Sequence, residues 1–350
     1  MQIGIDSFVA TLADPVSGAT LDPVTRLANQ LEEMTLADQV GLDVFGIGEH
    51  HRAEFLDSAP TIILAAAAAR TSKIRLASAV TVLSAHDPVR VFQDFATLDL
   101  ISQGRAEIVA GRGSFTEAYP LFGLDINDYD SLYTEKLDLL LKIREDSHIR
   151  WSGKHRPPLT GQGIYPRPLQ HPLPIWVGVG GTPASFARAG LLGLPLMVAI
   201  IGGEFRSFKP LIDLYREAGA RAGHAPESLK VGIHAFGYFA DTTKQAADEY
   251  FPGYAHMFKQ IGKERGYSPV TRAQFDATLG PTGAYLIGEP AAVVEKILYV
   301  NEVLGGVSRI NMQMSPGTLP HAKALHAIEL LGNSVAPAVR RELGGGSGTK

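Results

Sequence analysis

The sequence predicts an α/β fold, a (β/α)8 TIM barrel, and three observations lead there. Short apolar runs rich in β-branched residues alternate with helical segments through most of the chain. No change of composition marks a linker between them. Polar residues with chemical potential stand directly behind several of the runs, where the carboxyl ends of parallel strands place ligands.

Residues 3–8 read as the first strand, followed by a loop rich in Asp, Pro and Gly and a helix over 23–40. Residues 44–48 are the second strand, breaking off into Glu49, His50 and His51. Side chains on a strand alternate, so the two histidines point apart unless the chain has already turned. Ser58 offers a cap for an Ala-rich helix over 61–70, with Pro60 in its first turn. Residues 74–83 form the third strand, whose β-branched and small side chains suit a barrel interior. A helix over 89–102 leads to a fourth strand, 106–110, which ends in Gly111, Arg112, Gly113 and Ser114.

The rhythm then breaks. Residues 115–171 hold one helix, 131–144, and a Pro- and Gly-rich stretch without periodicity, so they read as an insertion. A fifth strand, 174–179, runs into Gly180, Gly181, Thr182 and Pro183 and a helix from 184. The sixth strand is 196–201, its helix ends near 222, and the seventh strand is 231–240. A second insertion spans 242–283, before a helix over 290–304, the eighth strand, 309–314, and a last helix over 319–335. One domain is expected over 1–343, with 344–350 a disordered tail.

The 350 residues carry a formal charge of −4, and 45% of them are hydrophobic. That is enough apolar chain for a large core, with no global field to attract nucleic acid or an anionic membrane. No apolar stretch approaches the roughly 18 residues of a membrane span, and no basic leader precedes one, so a cytoplasmic protein is expected. The absence of cysteine excludes disulfides, thiolate metal sites and cysteine nucleophiles. There is also no His-Glu-x-x-His, Gly-x-Ser-x-Gly or Walker pattern.

Gly178 to Pro183 fails the dinucleotide fingerprint, because the third glycine would fall on Pro183. It reads either as a tight turn or as a phosphate-binding helix N-terminus, to which Thr182 and Ser185 add hydroxyls. Arg112 is either a second phosphate ligand or a surface arginine. His86 reads as solvent-facing and His234 as a satisfied core or cavity residue. Trp151, Trp176 and Tyr165 read as packing or pocket-lining aromatics.

Taken as a set, Glu49-His50-His51, the run Leu98 to Arg105, Gly111 to Ser114, Val177 to Pro183 and Gly288-Glu289-Pro290 resemble the bacterial luciferase-like flavin-dependent monooxygenases. The resemblance implies FMN, with its phosphate near Arg112, Gly180, Gly181, Thr182 and Ser185. It implies a cis peptide between Ala79 and Val80 beneath the flavin ring, with Glu49 close by. His50 matches the family's catalytic histidine, and His51 and Glu49 join it in the catalytic set. The reaction implied is oxygenation of a small organic substrate by reduced flavin and O2 through a C4a-hydroperoxyflavin, with reduced FMN supplied by an NAD(P)H:flavin reductase. A homodimer packed through barrel helices, the 61–70 helix a candidate face, is implied too. The family loop that carries an acidic residue before its phosphate hydroxyl has Gly181 here, so light emission does not follow. Deazaflavin F420-dependent or NAD(P)H:FMN hydride transfer, and flavin binding without turnover, are the alternatives.

Overall fold

The first apolar run, β1 (Gln2–Ser7), is hydrogen-bonded in parallel on both sides, to β2 (Val44–Ile47) and to the last barrel strand. In a computed structural model describing residues 1–13, 18–266, 268–314 and 318–345, this pattern closes into a ring. The other strands are β3 (Arg75–Ser78), β4 (Thr81–Val82), β5 (Ala106–Gly111), β6 (His148–Trp151), β7 (Leu159–Gly163), β8 (Ile175–Val179), β9 (Leu196–Ala199), β10 (Val231–Phe239), β11 (Leu286–Gly288) and β12 (Arg309–Gln313). The order β10-β12-β1-β2-β3-β5-β8-β9, with β9 pairing back to β10, is the expected closed parallel barrel of eight strands.

The helices are α1 (Pro23–Gln39), α2 (Pro60–Ala68), α3 (Pro88–Ile101), α4 (Ala118–Leu121), α5 (Tyr129–Glu145), α6 (Pro183–Leu191), α7 (Lys209–Arg221), α8 (Thr243–Arg265), α9 (Arg272–Leu279), α10 (Pro290–Val303), α11 (His321–Leu330) and α12 (Ala336–Gly345). Asp22 caps α1 and Asp87 caps α3, each accepting a first-turn amide, with proline next in line at both starts. None of the described helices is long and apolar enough to cross a membrane.

The main hydrophobic core lies between the strands and the surrounding helices, built from residues such as Ile3, Phe45, Leu76, Phe92, Ile175 and Ile310. A small second cluster, Val109, Trp176 and Met197 with Val80 against it, fills the inside of the barrel. Alternation along each strand separates the two sets.

Several expectations need correction. The third strand is interrupted: β3 stops at Ser78, the Ala79–Val80 peptide is cis, and β4 resumes at Thr81. Ser58 does not cap α2; Ala59 precedes it with no side-chain cap bond, and Pro60 alone marks the start. The stretch judged aperiodic contains an antiparallel hairpin, β6 with β7, in which β6 alternates over only four residues and β7, Leu-Thr-Gly-Gln-Gly, carries a single apolar side chain. β11, in the short stretch between the expected insertion and the helix expected from 290, is a strand the sequence reading left out; it adds in parallel to β10 at Gly237–Phe239. The last helix does not end at 335: it passes through one π-helical turn, Leu331–Val335, and continues as α12. Gly344 and Gly345, assigned to the tail, finish α12; residues 346–350 of that tail lie outside the described residues.

Candidate active site

His50 follows β2 at the carboxyl end of the barrel, and its ring is held rather than free. Nδ1 lies 2.8 Å from Asp57 Oδ2, and the His50 amide donates to Asp57 Oδ1 at 3.1 Å. Asp57 has no solvent exposure, and burial pushes its carboxyl pKa up even though His50 pulls it down. A carboxylate can only accept, so Nδ1 carries the proton and Nε2 becomes the acceptor of the neutral ring. Phe8, Phe55 and Phe115 pack around the imidazole with ring centroids 4.5, 4.6 and 5.2 Å away. Gly48 makes this possible, because a Cβ there would stand 2.6 Å from Phe8 Cδ1 and 2.7 Å from Asp57 Oδ2.

Glu49 turns the other way and collects three donors. Its Oε2 accepts from the Val82 amide at 2.9 Å, while Oε1 lies 3.1 Å from His51 Nε2 and 2.7 Å from His86 Nε2. Burial alone would raise its pKa, but the His51 and His86 contacts and the Val82 amide bring it down to about 2. Glu49 is therefore a fixed anion at neutral pH, and His51 supports it. His86, read as solvent-facing, is a partner of the same carboxylate; it and His51 are covered by Phe122. Among the described residues no group of three or more His, Asp or Glu side chains is placed to hold a metal ion.

A second group forms where β5 and β8 end. Arg112 Nη2 donates to Ser185 Oγ at 2.9 Å, Nη1 pairs with Asp130, and the guanidinium lies 4.9 Å from the Tyr129 ring centroid. Helix α5 fastens this corner: Tyr129 donates to the Gly113 carbonyl, Tyr133 to the Ala110 carbonyl and Lys136 to the Ser84 carbonyl. Ser185 is in the first turn of α6, whose N-cap, Thr182, makes no side-chain cap bond. Gly180, Gly181 and Thr182 are exposed, and a Cβ at either glycine would meet nothing within 4 Å. Arg112, the Ser185 hydroxyl and the N-terminus of α6 come together at this corner, with Thr182 at the exposed N-cap, a donor set that fits a phosphate-sized anion. Asp130 is the acceptor that opposes it.

Between the two groups the barrel interior is cleared by small residues. Gly111 and Gly178 receive Val80: a Cβ at Gly111 would stand 2.5 Å from Val80 Cγ2, and one at Gly178 2.9 Å from Cγ1. Val80 also packs against the cluster of Val109, Trp176 and Met197. Of the three aromatics singled out in the sequence, Trp176 alone lies in the barrel. Trp151 donates to Asp138 on α5, and Tyr165 is exposed.

A family model described as luciferase-like monooxygenase matches residues 1–306. The chain belongs to the luciferase-like monooxygenase family. It is 26% identical over 357 residues to 4-hydroxyprotoasukamycin monooxygenase of Streptomyces nodosus subsp. asukaensis, covering 97% of this chain and 94% of the relative. Among solved structures it is similar to the oxygenating constituent of 3,6-diketocamphane monooxygenase from Pseudomonas putida, a type II Baeyer-Villiger monooxygenase in complex with FMN. The TM-score is 0.76 at 20% identity over 96% of this chain and 98% of that one. An F420-dependent secondary alcohol dehydrogenase in complex with an F420-acetone adduct has a TM-score of 0.76 at 18% identity, covering 97% and 99%. Backbone similarity at this level describes the luciferase-like barrel and does not choose between deazaflavin and flavin.

This luciferase-like chain adds contacts that its sequence did not reveal. Arg52, two residues beyond His50, joins Glu54 at 3.1 Å, Glu117 after β5, and Glu264 on α8 at 2.6 Å, and lies 5.1 Å from the Phe115 ring centroid. One guanidinium thus ties both excursions from the barrel over the His50 ring. Asp57 gave no signal in the sequence, being one acid in a loop seven residues away.

Proposed function

We propose that the chain is an FMN-dependent monooxygenase that uses reduced flavin and O2 to oxygenate a small organic substrate. One observation carries this reading: the buried Asp57–His50 pair and the Arg112–Ser185 cradle open on the same end of one barrel. Arg112, Thr182 and Ser185, with the amides beyond Gly180 and Gly181, would hold the phosphate of FMN, and Ala79 and Val80 would contribute to its site. Reduced FMN, when bound there, supplies the electrons that activate O2.

The protein's part is positional and acid–base. Asp57 keeps the His50 proton on Nδ1, leaving Nε2 to take or return a proton at the reacting atoms. Glu49, ionised and triply bonded, fixes His51, His86 and the Val82 amide instead of passing a proton. The Arg52 clamp keeps Phe115 over His50 and excludes water. A separate NAD(P)H:flavin reductase supplies the reduced flavin, and the working form is a homodimer.

Stopped-flow mixing of the photoreduced FMN-loaded protein with oxygenated buffer tests this. A spectral species distinct from reduced and oxidised flavin is expected, with His50→Ala or Asp57→Asn lowering product yield or species lifetime by roughly 100-fold or more. Direct return of the oxidised spectrum, together with oxidation of reduced F420 by a carbonyl substrate, would replace oxygenation by hydride transfer.

A further inference from the structure

The barrel holds a second imidazole–carboxylate pair that the proposed chemistry leaves without a task. His234 on β10 sets Nδ1 2.6 Å from Asp6 Oδ2 on β1. Asn311 on β12, directly opposite His234 in the sheet, donates from Nδ2 to Asp6 Oδ1 at 2.8 Å, so the carboxylate is gripped from two sides. Gly46 gives that carboxylate its room: a Cβ there would collide with Asp6 Oδ1 and stand 2.9 Å from Ala79 Cβ. The pair therefore lies beside the cis bond, and Phe8 stands between the two imidazoles. Its ring centroid is 4.5 Å from that of His50 and 5.9 Å from that of His234, the latter stacked at 16°.

Two independent features point to a ligand at this place. Asn311 is 2% exposed, and its Oδ1 is a buried acceptor with no partner among the described residues. The barrel wall also parts here, because β10 follows β9 only from Val231 to His234 and from Gly237 pairs with β11. With Asp6 the acceptor of both contacts, the His234 proton lies on Nδ1 and Nε2 is left as an acceptor. The ring nitrogen turned away from Asp6 and the unpartnered amide oxygen of Asn311 are both acceptors that a donor from outside the chain can reach for.

Resting on the reading that the barrel mouth receives the substrate, we infer that His234, set by Asp6 and Asn311, binds the hydroxyl of an otherwise apolar substrate. The substrate class is a neutral alcohol or phenol, donating its proton to His234 Nε2. Asp6 and Asn311 are positioning residues for that contact.

The test is nitrogen-detected NMR of protein labelled with 15N-histidine, in mildly alkaline buffer, with and without FMN. His234→Gln identifies the signal, and cyclohexanol and cyclohexanone serve as probes of matched shape. The expected result is an Nδ1–H tautomer for His234, an Nε2 shift on adding cyclohexanol, and several-fold less response to cyclohexanone. His234→Gln should weaken cyclohexanol binding about tenfold, the worth of one hydrogen bond. In Asp6→Asn the contact with Asn311 turns the new amide nitrogen toward Nδ1, so the proton moves to Nε2 and the preference reverses to the ketone. A merely structural histidine would show no such reversal. An Nε2–H tautomer in the unaltered protein, a signal unmoved by cyclohexanol, or equal response to both probes overturns the inference. None of these spectra needs turnover, so failure of the oxygenation test leaves them readable.

Discussion

The two ends of the barrel are built on opposite plans. At the end where the strands begin, the interior is filled and cross-linked by charge: Arg309 Nη1 donates to Glu107 Oε2 at 2.5 Å, and Arg75 pairs with the same carboxylate. Gln2 accepts from Arg309 Nε at 2.9 Å, and the Arg309 guanidinium lies 4.4 Å from the Trp176 ring centroid. Burial would raise the Glu107 pKa, but Arg309 and then Arg75 keep it below the usual carboxylate range. At the end where the strands finish, Gly46, Gly48, Gly111 and Gly178 make room for the side chains of Asp6, Phe8, Asp57 and Val80, and ionisable groups gather after β2 and β5. A filled floor holds the strands in register, while glycines at the mouth make room for the carboxylates that hold the imidazoles there.

That contrast can be broken from either end, and the floor should give the largest effect. Arg309→Met strands Glu107 with half its compensation and should cost about 4 kcal/mol in urea unfolding, with flavin affinity essentially unchanged. A fall in affinity as large as the fall in stability would mean that floor and mouth are not separate.

The Glu49 carboxylate crosses the divide, since it is a mouth residue buried like one of the floor. Its folded pKa of about 2 lies below the ordinary 4.5, so the stability it contributes is fully present above about pH 4.5 and is lost as pH falls toward 2. The shift corresponds to about 3 kcal/mol. Urea unfolding of the unaltered protein and of Glu49→Gln across this range should show the gap between them closing as acid is added. A gap independent of pH would mean the carboxylate is not held as an anion.

The smallest effect sharpens the other side. Ser185→Ala removes one contact from the Arg112 cradle, and fluorescence titration should find FMN binding weakened about tenfold with the unfolding midpoint unmoved. An unaltered affinity would take the cradle away from the phosphate and leave Arg112 to Asp130 alone.

Much of this was legible beforehand, for physical reasons that differ by element. A buried parallel strand must be apolar on both faces, so runs such as 44–48 and 231–240 announce themselves, and the residues following them fall at one end of the barrel by topology. His50 and Arg112 were placed at that end of the barrel in this way, and Ser185 in the helix that follows the fifth run. The hairpin of β6 and β7 escaped because β6 alternates over only four residues and β7 has one apolar residue and two glycines, too little pattern to read as a strand. Gly48 and Gly46 looked like ordinary strand glycines, although each clears the space for one carboxylate.

By itself the sequence determined the barrel, the order of its strands' ends and the family, because periodicity and local motif depend on neighbours along the chain. Only the tertiary structure decided the partners. Asp57 behind His50, His86 on Glu49, Asp6 and Asn311 behind His234, and the Arg52 clamp onto α8 join residues separated by as few as 7 or as many as 305 positions. A histidine in a sequence carries no sign of which nitrogen holds its proton. That is settled by the carboxylate the fold brings to it, since the energy of the contact depends on distance and burial, and neither is written in the order of residues.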